Sequence, residues 1–362
     1  MAKPAGARRT ATTSTRHRWA LGLDIGGTFT DVMMVDLATR RSVRYKTLTT
    51  PSDPAIGALD AVEGVLREAA TTAAEVEVLL HATTLVSNAL IERKGAPTAL
   101  VATRGFKDML DIAREKKFDI YDLMLDKPAP LVPPARRFEV AERIAADGSE
   151  IAPLGEESVA ELVRAVRASG ATAVAVCLLH AYMNPEHERT LRSRLQSALP
   201  GVAICISSDV LPEMREYERA STTVANAYVQ PLTAGYLDRF AQGLRSRGLA
   251  CPMFVMLSEG ALAAPEVVKR VPVRICESGP AAGAVISAAV ARQLERKHVL
   301  SFDMGGTTAK TCIVHDGEPQ VTSDFEVARI YRFKKGSGLP LRIPVIEMVE
   351  IGAGGGSIAS VD

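Results

Sequence analysis

Two short stretches of this chain place an acid, two glycines and a hydroxyl in the same order. Residues 21–31 read LGLDIGGTFTD and residues 300–310 read LSFDMGGTTAK. Each is followed by an apolar run, so each reads as strand, tight turn, strand. The repeat sets Asp24 against Asp303, Gly26-Gly27 against Gly305-Gly306, and Thr28 against Thr307. Paired glycines allow positive φ and a close approach of the backbone to a ligand. Successive amides in such a turn form an anion-binding concavity. A neighbouring carboxylate can hold Mg²⁺ against a phosphate. One copy is a common structural turn; two matching copies point to a polyphosphate held between two hairpin tips.

The elements needed to position these tips are legible around them. Residues 19–45 read as a hairpin with a third strand. Residues 51–70 read as a helix capped by Ser52 or Asp53, with Pro54 in its first turn and Ile56, Leu59, Val62 and Leu66 at helical spacing. A buried strand at 76–81 ends in His81, Thr83 and Thr84, and an amphipathic helix closed by Gly95 follows. The spacing predicts strands at 98–102, 173–179 and 202–207, and helices at 156–168 and 186–199. A hairpin is expected over 138–151 around Asp147-Gly148. Strand–helix alternation makes 19–207 an α/β lobe that begins with an antiparallel meander. From 208 the pattern changes to a long, interrupted helical region, a strand at 252–257, a small-residue helix start at ESGPAAG (277–283), the second hairpin at 299–315 and a strand at 345–351. Ser-Gly-Pro opening a helix is a candidate anion contact or a close-packing device. The expected organisation is a disordered tail at 1–18, a first lobe at 19–207 and a second, truncated lobe at 208–362.

Composition narrows the function classes. The 362 residues carry a net charge of +1, with 47% hydrophobic and 23% charged residues, which is ordinary globular composition. Aromatic residues are scarce and no basic stripe occurs, which argues against a nucleic-acid partner. No apolar run reaches the length of a membrane span. The five cysteines are scattered in apolar stretches without a CxxC pair, so reduced buried thiols and a cytoplasmic location are expected. No Ser-His-Asp or cysteine nucleophile arrangement stands out.

The motifs together resemble the hydantoinase A / 5-oxoprolinase family, which includes N-methylhydantoinase A and acetone carboxylase subunits. The resemblance rests on LGLDIGGTFTDVMMVD, HATTLVSNALIERKGA, FDIYDL, LLHAYMNPEHE, LPEMREYERASTTVANAYVQP, ESGPAAG, FDMGGTT and GAGGGSIA, which run from about residue 20 to the end. It departs from the family's pattern at SEGAL (258–262) and at Lys310, where many relatives carry an acid; Asp31 occupies that place in the first copy. The resemblance implies an α/β fold of two actin-like (ribonuclease H-like) ATPase lobes with mixed sheets. Only about 50 residues follow the second hairpin, so the second lobe is expected to be incomplete. The chain thus looks like an amino-terminal portion or a split subunit.

The reaction implied is ATP-dependent opening of a cyclic amide such as a hydantoin, 5-oxoproline or a similar lactam. Phosphorylation of the amide oxygen makes a leaving group that water can displace. The resemblance assigns ATP and Mg²⁺ as cofactors and Asp24 and Asp303 as the metal and catalytic carboxylates. Gly26, Gly27, Gly305 and Gly306 would cradle phosphates, and Thr28, Thr30, Thr307 and Thr308 would donate hydroxyls. Lys310 would neutralise a phosphate, and Gly354 and Gly355 in the terminal glycine loop would contact nucleotide. His81 is a substrate-side candidate or a satisfied core histidine. Arg114, Glu115 and Asp119 form a polar cluster or a solvated loop, and His180 and His187 read as structural. The implied partners are a cyclic amide substrate and a hydantoinase B-like subunit or the missing carboxy-terminal half. A ketone carboxylase subunit and a non-catalytic nucleotide-binding subunit are the alternatives.

Overall fold

The structure, a computed structural model, describes residues 18–114, 117–305, 309–331, 334–351, 354–358 and 360. Of the expected tail, residues 1–17 lie outside these. The chain opens with the expected meander: β1 (Trp19–Ile25), β2 (Phe29–Asp36) and β3 (Ser42–Leu48), each antiparallel to the next. Helix α1 (Pro54–Ala69) starts where Asp53 accepts the Ala55 amide and Pro54 presets the first turn. Strand β4 (Val76–Thr83) returns parallel to β1 and leads into α2 (Leu85–Ile91).

A second, all-parallel sheet follows, built from β5 (Thr98–Thr103), the short α3 (Met109–Ile112) and β6 (Arg137–Val140). The hairpin expected over 138–151 is smaller than the sequence suggested. Its first residues form β6, which pairs in parallel with β5, and only β7 (Arg143–Ile144) and β8 (Glu150–Ala152) form the hairpin. The unit continues through α4 (Glu156–Ala168), β9 (Ala173–Cys177), α5 (Glu186–Ala198), β10 (Ala203–Ile206) and α6 (Ser207–Val210). The sheet order is β10-β9-β5-β6, and β9 is buried along its whole length, as its unbroken apolar run requires.

Helix α7 (Glu216–Ser246) then runs 31 residues without a break, about 46 Å at 1.5 Å per residue. The interruption expected of this region does not occur, although Pro231 lies inside the helix. Every residue from 218 to 229 is buried, and that packing outweighs the lost backbone bond. Next come β11 (Met253–Met256), β12 (Leu262–Ala263), α8 (Pro265–Arg270) and α9 (Ser278–Gln293). Strand β11 adds in parallel to β4, so the first sheet reads β12-β11-β4-β1-β2-β3. A boundary at 207/208 therefore cuts through the chain of this sheet: two of its six strands lie beyond it.

The second hairpin pairs β13 (His298–Met304) with β14 (Ala309–His315). Short strand β15 (Glu318–Pro319) and β18 (Val349–Ile351) share the far edge of β14, while β16 (Val321–Val327) and β17 (Leu339–Ile346) form a separate ribbon. Helix α9 floors the second sheet through its alanines. Ala281 and Ala284 pack on Cys312, and Ala288 and Ala291 on Val314.

Candidate phosphate clamp

Register places the repeated residues identically in the two hairpins. Asp24 stands opposite Asp31 across β1–β2, and Asp303 stands opposite Lys310 across β13–β14. Strand alternation puts Leu21, Leu23 and Ile25 into the core and leaves Asp24 on the other face. Asp24 keeps accessible surface, yet the start of α9 approaches its carboxylate. Burial, then the charges of Asp31 and Asp303, raise its pKa to about 6, against a smaller opposing pull from Lys46. The charge of Asp303 on the second hairpin thus reaches Asp24 on the first. A pair of acids held this way favours a cation between them.

The first turn is closed by the Gly26 amide, which donates to Phe29 O at 2.9 Å. Neither Gly26 nor Gly27 takes positive φ, contrary to the reason first given for the glycine pair. Close approach explains Gly26 instead, because a Cβ there would lie 3.2 Å from Phe29 O. Gly27 and Thr28 are exposed at the tip, and their amides have no acceptor among the described residues. Those two amides and the Thr28 hydroxyl are what the first tip offers an anion.

Thr30 does not join them. It is fully buried, and its hydroxyl lies 3.0 Å from that of Thr49, which also donates to Gly26 O. Thr30 braces the turn from behind. Its face was readable from the alternation Thr30, Val32, Met34. His81 is also corrected. It pairs in register with Leu23, so it shares the core face and points away from Asp24. It is 1% exposed, stands 2.9 Å from the Tyr236 hydroxyl and packs against Phe240. Burial lowers its pKa to about 4, so it is a neutral core histidine.

Lys310 is already paired. Its ammonium donates to Glu277 Oε2 at 2.5 Å, with Glu350 at 4.0 Å, and it is largely buried. Burial pulls its pKa down, but Glu277 and Glu350 outweigh this and the net shift is upward. The aligned position in the first hairpin is neutralised the opposite way round: Lys46 donates to both Asp31 oxygens at 2.8 Å and lies over the Phe29 ring. The contrast between Asp31 and Lys310 therefore resolves into one acid–lysine pair per hairpin, the partner coming from β3 in the first and from the cap of α9 in the second.

Gly306, Thr307 and Thr308 lie outside the described residues. Gly305 is described, and the Gly355 amide donates to its carbonyl at 2.9 Å, which brings the glycine loop onto the second tip. The Gly354 amide donates to Ser357 Oγ. Both amides are engaged within the protein, so these two glycines shape the tip rather than offer donors to a ligand.

Sequence reasoning passed over the wall of this site. The start of α9 stands over Asp24: a Cβ on Gly279 would lie 3.2 Å from Asp24 Oδ1. Ser278 fixes it there, accepting the Thr83 amide and donating to Thr83 O, each at 2.9 Å. ESGPAAG hinted at such a role, but its partner lay at the far end of the chain. Arg114 and Asp119 are not part of the clamp; they bond Glu218 and Lys334, and Glu115 lies outside the described residues. Arg114 and Phe118 line a cavity of about 300 Å³ with Tyr217, Glu326 and Leu339. That cavity lies at the Leu339 end of β17, whereas the Ile346 amide at the other end bonds Ser258 O, and the Ser258 hydroxyl accepts the Glu277 amide. His187 is structural: it bonds Glu142 at 2.8 Å and Glu150 at 2.9 Å.

Family models extend over nearly the whole described fold. The hydantoinase/oxoprolinase N-terminal region matches residues 20–199, and the hydantoinase/oxoprolinase model matches residues 219–362. The chain belongs to the hydantoinase/oxoprolinase family. Caprolactamase subunit alpha of Pseudomonas jessenii is 32% identical over 96% of the chain and 49% of its own length. The acetophenone carboxylase gamma subunit of Aromatoleum aromaticum is 30% identical over 95% and 48%. The crystal structure of ATP-dependent caprolactamase from Pseudomonas jessenii superposes with a TM-score of 0.81 at 31% identity, covering 95% of this chain and 49% of that one. Nucleotide-free acetone carboxylase gives a TM-score of 0.82 at 26% identity, covering 93% and 48%. The α/β architecture with mixed sheets is thus the hydantoinase-type ATPase fold. The chain spans about half the length of the curated relatives it matches. Among the described residues no helix is long and apolar enough to cross a membrane.

Proposed function

We propose that this chain carries the nucleotide clamp of an ATP-dependent hydrolase that opens a cyclic amide. The observation that carries the reading is the placement of Asp24 and Asp303 at equivalent positions of two hairpin tips, near enough for one charge to raise the other's pKa. Caprolactamase among the relatives supports a lactam as substrate class.

The donor set fits Mg²⁺. Among the described residues no group of three or more His, Cys, Asp or Glu side chains is placed to cage a metal ion, and Asp31, opposite Asp24, is bound by Lys46. Mg²⁺ is held in this way, by one or two carboxylates with waters and phosphate oxygens filling the remaining positions. When bound, it would neutralise charge on the transferred phosphoryl group. Asp24 and Asp303 would hold it. The Gly27 and Thr28 amides and the Thr28 hydroxyl would fix the phosphate chain from the first lobe, as preorganised donors. The acid–lysine pairs keep Asp31 and Lys310 from repelling or trapping the nucleotide. Among the described residues no imidazole stands at the clamp once His81 is placed in the core, so the contribution proposed for this chain is positioning and charge.

Calorimetry with Mg-ATP and ADP release with added lactam or hydantoin test the reading. Asp24→Asn and Asp303→Asn should each weaken Mg-ATP binding at least tenfold and remove lactam-stimulated ADP release. Wild-type affinity in both variants would refute the clamp. The carboxylase relatives favour a second reading with the same clamp, phosphorylation of a ketone oxygen. ADP release with ketone and bicarbonate but not with lactam would decide for it.

A further inference from the structure

The cavity at the Leu339 end of β17 takes no part in the clamp, and its walls have a chemistry of their own. Its floor is apolar: Leu110 of α3, Val224 of α7 and Leu339 of β17 are buried there, with Phe118 beside them. Two segments far apart in the chain close over it. The Phe118 and Tyr331 rings meet with centroids 5.4 Å apart, and Lys334 Nζ donates to Asp119 Oδ2 at 2.5 Å. At about 300 Å³ the space suits a small ligand. The charged groups of the wall are not all satisfied. Both Glu326 oxygens accept the Gly336 amide, and Arg329 donates to Oε2. Lys127 donates to the neutral Asp111 carbonyl, and Lys335 is exposed with no hydrogen-bond or ion-pair partner among the described residues. Arg114 is anchored from behind. Glu218, whose side chain is 4% exposed, accepts from its Nε at 2.6 Å, and neither Nη atom donates a hydrogen bond among the described residues. An acid that holds Nε fixes the guanidinium plane and leaves the other edge of the fork for a second two-oxygen group.

We propose that this cavity binds a small carboxylate with an apolar body. The Nη atoms of Arg114 take the carboxylate, with the Lys127 and Lys335 ammonium groups adding positive charge, and the apolar body lies on Leu110, Val224 and Leu339. Charge selects this class of ligand. Arg114, Lys127 and Lys335 line the space against Glu326, which Arg329 already neutralises. A neutral amide of the same shape leaves those cations unanswered, so the wall that attracts the anion discriminates against the amide. The planar fork presented by Arg114 matches the two oxygens of a carboxylate. The proposal stands apart from the clamp and requires no nucleotide.

The test is calorimetry and hydrogen exchange on the full chain without nucleotide. Hexanoate is the probe, hexanamide its neutral isostere and hexyl phosphate the comparison anion. Hexanoate should bind about tenfold tighter than hexanamide and slow exchange across 334–340. Lys335→Gln, at an exposed and unpaired site, should weaken hexanoate about threefold and leave hexanamide unchanged. Arg114→Gln/Glu218→Gln removes both charges of the pair without stranding either, and should weaken hexanoate about tenfold. Should the double variant fail to fold, Lys335→Gln and the hexanamide comparison still decide. No saturable binding of hexanoate, equal affinity for hexanamide, or binding with unchanged exchange at 334–340 would each overturn the proposal. Tighter binding of hexyl phosphate than of hexanoate would overturn the carboxylate assignment.

Discussion

His81 offers a sharp test of where this fold keeps its chemistry. Burial beside Tyr236 and Phe240 depresses its pKa from 6.5 to about 4. An unfolded chain binds a proton there near pH 6.5, whereas the folded chain resists until about pH 4. The imidazole therefore contributes stability that is complete above 6.5 and is lost as pH falls towards 4. Between pH 7 and pH 5 the loss is about 2 kcal/mol, from a 2.5-unit depression at 1.36 kcal/mol per unit. The perturbation is the double variant His81→Leu/Tyr236→Phe, which removes both partners and leaves no orphaned hydroxyl. Asp24, whose raised pKa favours folding at lower pH, and His187 titrate equally in both proteins and cancel in the difference. Urea unfolding at the two pH values should show the double variant gaining about 2 kcal/mol on the wild type at pH 5, a midpoint change of roughly 1 M. Parallel pH dependence of the two proteins would refute the neutral-core reading. Unchanged stability with loss of lactam-stimulated ADP release would return His81 to the substrate side.

Three further outcomes follow from the clamp and its supports. Gly279→Ala should leave stability within about 1 kcal/mol, since helix propensity offsets the crowding, while its Cβ displaces the Asp24 carboxylate; Mg-ATP affinity by calorimetry should fall roughly threefold to tenfold. Glu277→Gln should cost about 3 kcal/mol in urea unfolding by stranding a buried lysine, and Glu277→Leu/Lys310→Met should recover most of it. At His187, burial lowers the pKa but the Glu142 and Glu150 bonds outweigh it, so the net shift is upward. Its contribution is complete below pH 6.5 and lost as pH rises through the folded value, so His187→Gln should flatten the wild-type decline in thermal midpoint above neutrality.

Local signals carried most of the elements. Asp53-Pro54 marked the start of α1, the apolar run at 173–179 marked a buried strand, and both hairpins showed as acid-Gly-Gly-Thr turns. The failures share a physical cause, dependence on partners far along the chain. Residues 138–140 read as a hairpin arm until β5 is known to lie beside them. The stretch from 208 reads as an interrupted helix until the burial of α7 is known. The side of the sheet that His81 faces depends on the parallel register of β4 with β1. Lys46, Gly279 and Glu277 became part of the site only through strand pairing and the return of α9. Thr30 is different: its burial was present in the alternation of β2 and was overlooked in favour of the motif.

Helix α9 has a consequence for how the molecule can be divided. Its first residues stand over Asp24, held there by Ser278, while its remaining turns belong to the second sheet. A fragment ending at residue 207 would keep every side chain of the first turn. It would lose β11, the long helix α7 and the wall over the carboxylate. Modularity in this chain follows neither the motif nor the sheet. The smallest piece that preserves the charge environment of Asp24 must extend through α9 and into the hairpin that bears Asp303.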